Sequence, residues 1–151
     1  MKRFLRNAVL VGIGLLIIAQ VVPLQRTNPA VTREVKWNAP ETRALAKRAC
    51  FDCHSNETTW PWYAYVAPIS FQVTHHVNEG RGRLNFSAWD QPNANYSEAE
   101  REVNRGEMPL WDYLLIHTDA KLTDAEKQTL LAGLKATYAS DPPIERKRGR
   151  E

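Results

Sequence analysis

The sequence predicts an all-α domain, built of about four or five short helices joined by long loops and preceded by one apolar N-terminal helix. Three observations predict it. No stretch alternates apolar and polar residues in the way a half-buried strand does. Apolar residues recur instead at spacings of three and four. The first 25 residues also differ in composition from the rest and stand apart as their own unit.

Lys2, Arg3 and Arg6 make the start basic, and Ala8 to Leu24 then carries no charge and one polar residue, Gln20. At about 17 residues this run is near the lower limit for a membrane-spanning helix and longer than the usual core of a signal peptide. Val21, Val22, Pro23 and Leu24 offer no small-residue cleavage site. Residues 1–25 therefore read as a retained anchor, with a removed signal peptide as the alternative. The basic end is expected to stay in the cytoplasm, which places the rest on the periplasmic side of a bacterial inner membrane or outside the cell. Three of the 20 Lys and Arg residues lie in that basic end, which leaves 17 against 17 Asp and Glu. The exported part is thus neutral, and the overall basicity gives no case for nucleic acid. Residues 26–39 read as a linker, 40–140 as the domain, and 141–151 as a solvated charged tail holding the basic cluster Arg146-Lys147-Arg148.

Within the domain, Asn38 and Pro40 are suited to start a helix. Leu45, Ala46, Ala49, Cys50 and Cys53 then share one face of a helix running to Cys53. An aromatic, proline-punctuated stretch follows from Ser55 to Pro68. A second helix is expected from Pro68, ended by Gly80 and Gly82. Leu84 to Asn95 reads as loop anchored by Phe86 and Trp89. Ser97 with Glu100 has the form of a capping box for a third helix ending near Gly106, and Leu110 to Ile116 forms a short one. Thr123 with Glu126 is a second capping box, opening a last helix whose apolar face includes Leu130, Leu131, Leu134 and Tyr138 and which Pro142 and Pro143 close. Loops this long need something large and buried to organise them.

The chemistry lies in Cys50-Phe51-Asp52-Cys53-His54. This C-x-x-C-H run is the attachment signal for haem c. Residues three apart on a helix share a face, so both thiols reach one edge of a porphyrin and bond its vinyl groups. His54 then falls beneath the iron. The chain has only these two cysteines, too close together for a disulfide framework. A thiol–disulfide redox pair and a zinc site remain as alternatives, the first without its usual strand context and the second without an evident fourth ligand. For the sixth iron ligand, Met108 is the one methionine besides Met1, and Pro109 holds it in a rigid turn. His75, His76 and His117 are the rivals. Buried propionates need donors, and Trp60, Trp62, Tyr63, Arg81, Arg83 and Asn85 supply them, Arg81 foremost.

The order of parts resembles a small class I cytochrome c: a helix ending in C-x-x-C-H, a distal Met108-Pro109, and a last helix beginning Leu122-Thr123-Asp124-Ala125-Glu126. That resemblance implies that the first and last domain helices cross beside the haem. A closer resemblance, over nearly the whole chain, is to the bacterial haem-binding domain family. It rests on Arg26-Thr27-Asn28-Pro29, on Cys50 through Glu57, and on Trp60-Pro61-Trp62-Tyr63. It continues in Glu79-Gly80-Arg81, Leu84-Asn85-Phe86-Ser87 and Gly106-Glu107-Met108-Pro109. The family implies haem binding; Met108 as ligand comes from the wider cytochrome class. The expectation is one covalent haem c with its iron, and one-electron transfer to redox partners that the sequence does not identify. No acid–base or nucleophile pair accompanies the haem, so a carrier is expected rather than an enzyme. A haem sensor or peroxidase-like protein with an open distal site, and a haem-free thiol oxidoreductase, are the competing readings.

Overall fold

A computed structural model describes residues 1–145 and is mostly helical. Helix α1 (Lys2–Gln20) has no buried residue. With 19 residues and a mean hydropathy of 1.5 it is long and apolar enough to cross a membrane. The domain contains α2 (Pro40–Ala49), α3 (Phe51–His54), α4 (Ile69–Arg83), α5 (Tyr96–Asn104), α6 (Trp111–Leu114) and α7 (Asp124–Ser140), with 3-10 turns at Trp62–Tyr65 and Thr118–Ala120. Against the expectation of no strand, β1 (Pro92–Asn93) and β2 (Ile144–Glu145) make one two-residue parallel pairing, a length too short to show in a periodicity.

Helices α2 and α7 pack against each other. Their contact is close because Gly133 has no side chain: a Cβ there would lie 2.1 Å from Thr42 Oγ1. Around it Leu45, Ala46, Leu130, Leu134 and Tyr138 form one core with Val35, Phe51, Leu84, Phe86 and Trp89. Aromatic rings run through this core. Phe86 lies 5.0 Å from Trp37, 5.8 Å from Phe51 and 6.1 Å from Trp89, whose ring meets Tyr138 edge-on at 5.1 Å. Phe86 and Trp89, expected as loop anchors, are 1% and 0% exposed.

Several element ends differ from expectation. Asn38 does not cap α2; its side chain and N–H both engage Thr137 on α7, and Ala39 takes the cap position. The first domain helix does not run straight to Cys53. It breaks at Cys50, whose carbonyl accepts from both Cys53 N (3.2 Å) and His54 N (2.8 Å) as α3 begins. Gly80 and Gly82 do not end α4, which continues to Arg83 and stops at the extended Leu84. The cap of α5 is Asn95, accepting from Glu98 N, and not Ser97.

The segment expected as a linker is laid along the domain. Thr32 and Val35 donate backbone N–H to Ser87 and Phe86, Trp89 donates to Arg33, and Val35 is 2% exposed. The charged tail does not begin at Asp141, which is buried, ion-pairs with Arg33 and accepts from Lys36 N. The basic cluster Arg146-Lys147-Arg148 lies outside the described residues.

The capping box of α7 forms as the sequence predicts. Glu126 accepts from Thr123 N (2.8 Å) and pairs with Arg48 of α2 (2.6 Å). The Thr123 backbone bond and the Arg48 contact hold its carboxyl down from 4.5 to about 2. A carboxylate depressed on folding contributes stability that is complete above its unfolded value and lost as pH falls through the folded one. Stability should therefore decline between about pH 4.5 and 2, and Glu126→Gln should remove part of that decline while lowering stability at pH 7. Denaturant titrations of both proteins at a series of pH values measure this.

Candidate functional site

The domain holds a cavity of about 1100 Å³, slightly larger than the usual range for ligand and cofactor sites. Its walls come from the Cys50–His54 turn, from α4, from α5 with the loop through Met108, and from α6, with Leu130 and Leu134 of α7 behind. Its lining is predominantly apolar. The structure brings Cys50, Cys53, His54 and Met108 to this one cavity.

His54 is the most constrained of them. Its Nδ1 lies 3.1 Å from the carbonyl oxygen of Gly80 and 3.0 Å from that of Leu84. A carbonyl only accepts, so Nδ1 carries the proton and Nε2 keeps a lone pair. Burial pulls the imidazole below its ordinary value, against the two carbonyls that raise it, which favours the neutral form. This is how a metal-ligating histidine is oriented by the groups around it.

Both carbonyls are placed by specific local sequence. α4 passes so close to α3 that a Cβ at Gly80 would sit 2.4 Å from the Cys53 carbonyl oxygen. The Leu84 carbonyl belongs to Leu84-Asn85-Phe86-Ser87, where Phe86 N returns a hydrogen bond to the His54 carbonyl (2.9 Å). Asn85 holds this strap: its N–H donates to Asn93 and its amide to Asn56, while its Oδ1 accepts from Ser87 N.

At the end of α5, Gly106 adopts φ +72°, a left-handed conformation that glycine takes without strain. The carbonyl of Glu102 accepts from both Glu107 N and Met108 N. This closes the helix and delivers Met108 to the cavity. His75, His76 and His117 also line it. His75 is 71% exposed and paired with Glu79. His117 stacks on Tyr113 at 4.2 Å and is hydrogen-bonded to the Tyr63 hydroxyl, while Tyr113 donates to Asp52 (2.7 Å).

Four expected propionate donors lie elsewhere. Arg81 is not in the cavity wall. It donates to the Ser55 carbonyl, the Thr27 carbonyl, Asn28 Oδ1 and Thr58 Oγ1, each at 2.8 Å, and so ties the segment after α1 to the loop after His54. Trp60 donates to the same Asn28, and Trp62 is 78% exposed on the surface. Asn85 is spent on the strap. Of the candidate donors, Tyr63 and Arg83 do line the cavity, with Arg101, which the sequence reading missed. Tyr113 and the Asp52 it bonds were also missed. The signal available was the four-residue spacing of Tyr113 and His117, across which His117 N donates to the Tyr113 carbonyl (3.0 Å) just past the end of α6.

The residues present fit a large flat cofactor held at one edge by two thiols, with an imidazole lone pair and a thioether at the same cavity. Burial pushes the Cys50 thiol up to about 12 and Cys53 up to about 11. That is the reverse of the acidified thiol of a disulfide-exchange site. Among the described residues no three or more His, Cys, Asp or Glu side chains are gathered to hold a metal ion. A zinc site would need such a group.

Fold and site together define an all-α domain organised around one cofactor cavity. The sequence profile of the haem-binding domain family matches residues 14–136, and the chain belongs to that family. No curated protein and no solved structure is similar enough to match it.

Gly80→Ala should lower stability by about 1–3 kcal/mol, because the methyl collides with backbone rather than with a side chain that can swing away. Gly82, two residues on in the same helix, has no atom within 4 Å of its Cβ position. Gly82→Ala should be neutral or stabilising by up to about 1 kcal/mol. Denaturant midpoints of the two variants, read beside their haem content, test this opposition.

Proposed function

We propose that the domain binds one haem c covalently through Cys50 and Cys53, with His54 as proximal and Met108 as distal iron ligand, and passes single electrons on the periplasmic face of a membrane that α1 anchors it to. The observation that carries the reading is the convergence of both thiols, the Nε2-free His54 and Met108 on one cavity lined mainly by apolar groups. Bound there, the haem supplies one-electron chemistry at its iron, at a potential that a thioether ligand raises relative to a second imidazole.

The chain's own residues supply the rest. The Gly80 and Leu84 carbonyls fix the tautomer and aim of His54. The turn after Gly106 holds Met108 independently of the His54 strap, so the two ligands are carried by separate elements. Leu130, Leu134 and Val77 keep water from the cavity wall. Arg83 and Arg101 are the cavity-lining guanidiniums suited to ionised propionates, in place of Arg81.

Replacing Cys50 and Cys53 together by Ala should leave protein that gives up all its haem to acid–acetone extraction, whereas the wild type retains it. Haem that stays with the double variant would refute covalent attachment.

Met108→Ala should abolish the weak long-wavelength charge-transfer band of thioether-bound ferric haem. It should also admit carbon monoxide or cyanide and lower the potential. Met108→His should restore six-coordination at a lower potential than the wild type. An unchanged spectrum in Met108→Ala, with ligand loss in His76→Ala, would make the pair two histidines. A wild type already five-coordinate would favour the sensor or peroxidase-like reading.

A further inference from the structure

The domain exposes large apolar side chains next to the end of α1. Trp62 is 78% exposed, Tyr65 48%, Val66 43% and Ile69 48%, all within eight residues of sequence. Trp111 is 74% exposed on α6, which Gln72 of α4 reaches by donating to Asp112 (2.6 Å). Scattered surface apolar residues are ordinary, but a contiguous aromatic patch marks a contact surface.

What it contacts follows from where α1 ends. Gln20, the last residue of α1, donates from Nε2 to the Tyr65 carbonyl (2.6 Å) and accepts from Ala67 N (3.0 Å) on its Oε1. Arg26 places its guanidinium 4.8 Å from the centre of the Tyr65 ring. The patch is therefore bonded to the end of the apolar helix and sits at whatever level that helix leaves the bilayer. Tyr and Trp, with an apolar body and a polar tip, are the residues that favour the headgroup layer. An arginine at this level finds lipid phosphate.

We propose that Trp62, Tyr65, Val66 and Ile69 lie in the headgroup layer of the bilayer that α1 crosses, so that the haem domain rests on the membrane surface instead of swinging on a tether. Because Ile69 also lines the cavity, the resting face includes the cavity rim. The proposal rests on the reading of α1 as a membrane span, and its test separates the two.

The test uses the full haem-loaded chain in vesicles of phosphatidylethanolamine and phosphatidylglycerol carrying a lipid with a photoreactive diazirine at the glycerol level. After illumination, adducts are mapped by tandem mass spectrometry. Adducts are expected on α1 and on residues 62–69, and the double variant Trp62→Ser/Tyr65→Ser should lose those at 62–69 while keeping those on α1. Adducts confined to α1 would overturn the proposal and leave the anchor standing. Adducts at neither segment, with protein that fails to float with the vesicles, would remove the anchor and the resting face together.

Discussion

The pair of hydrogen bonds from His54 Nδ1 to the Gly80 and Leu84 carbonyls is the constraint from which the rest of the domain can be understood. Two carbonyls converge on one nitrogen only if the last turn of α4 passes directly beside α3 and the chain then turns sharply outward. The first requirement forbids a side chain at position 80. The second needs a segment that leaves the helix extended yet remains held, which the Asn85, Asn93, Asn56 and Ser87 network provides. Buried amides of this kind are costly unless every group finds a partner. Here they partner one another and the backbone, so the strap is specified by geometry more than by apolar packing.

Beyond the strap, the chain closes on itself through its ends. Asp141, just past α7, holds Arg33 and the backbone of Lys36, and its carbonyl accepts from the buried Trp89 indole. Arg81 joins Thr27 and Asn28 to Ser55 and Thr58. The stretch between α1 and α2 is thereby an outer layer of the domain. A rigid layer there brings the end of α1 to a defined place on the surface, which a flexible tether would not.

Much of this was legible in the sequence, and what was not has physical reasons. The Thr123–Glu126 box and the apolar face of α7 are local signals that the structure bears out; the C-x-x-C-H run and Met108 before Pro109 are local signals too, and both reach one cavity, although the helix expected to run through both cysteines breaks at Cys50. Gly80 misled because a glycine near the end of a helical pattern reads as a stop; its reason is a close approach between elements far apart in sequence. Arg81 misled for the same kind of reason. An arginine near an expected cofactor suggests an anion, but nothing in one dimension reveals that four protein acceptors surround it. The residues 26–39 lack any periodicity because they contribute single contacts, such as Val35, and not a repeating face.

The cavity has one more consequence, for the life of the chain before it is loaded. An unfilled dry void costs about 24 cal/mol per Å³. The cavity is partly open to solvent, so water fills part of it and only the closed part carries this cost. A chain that has not received its cofactor must therefore relax, let the walls collapse or water in, and loosen the elements that meet there. Such a chain exposes backbone to proteases that the loaded form denies them.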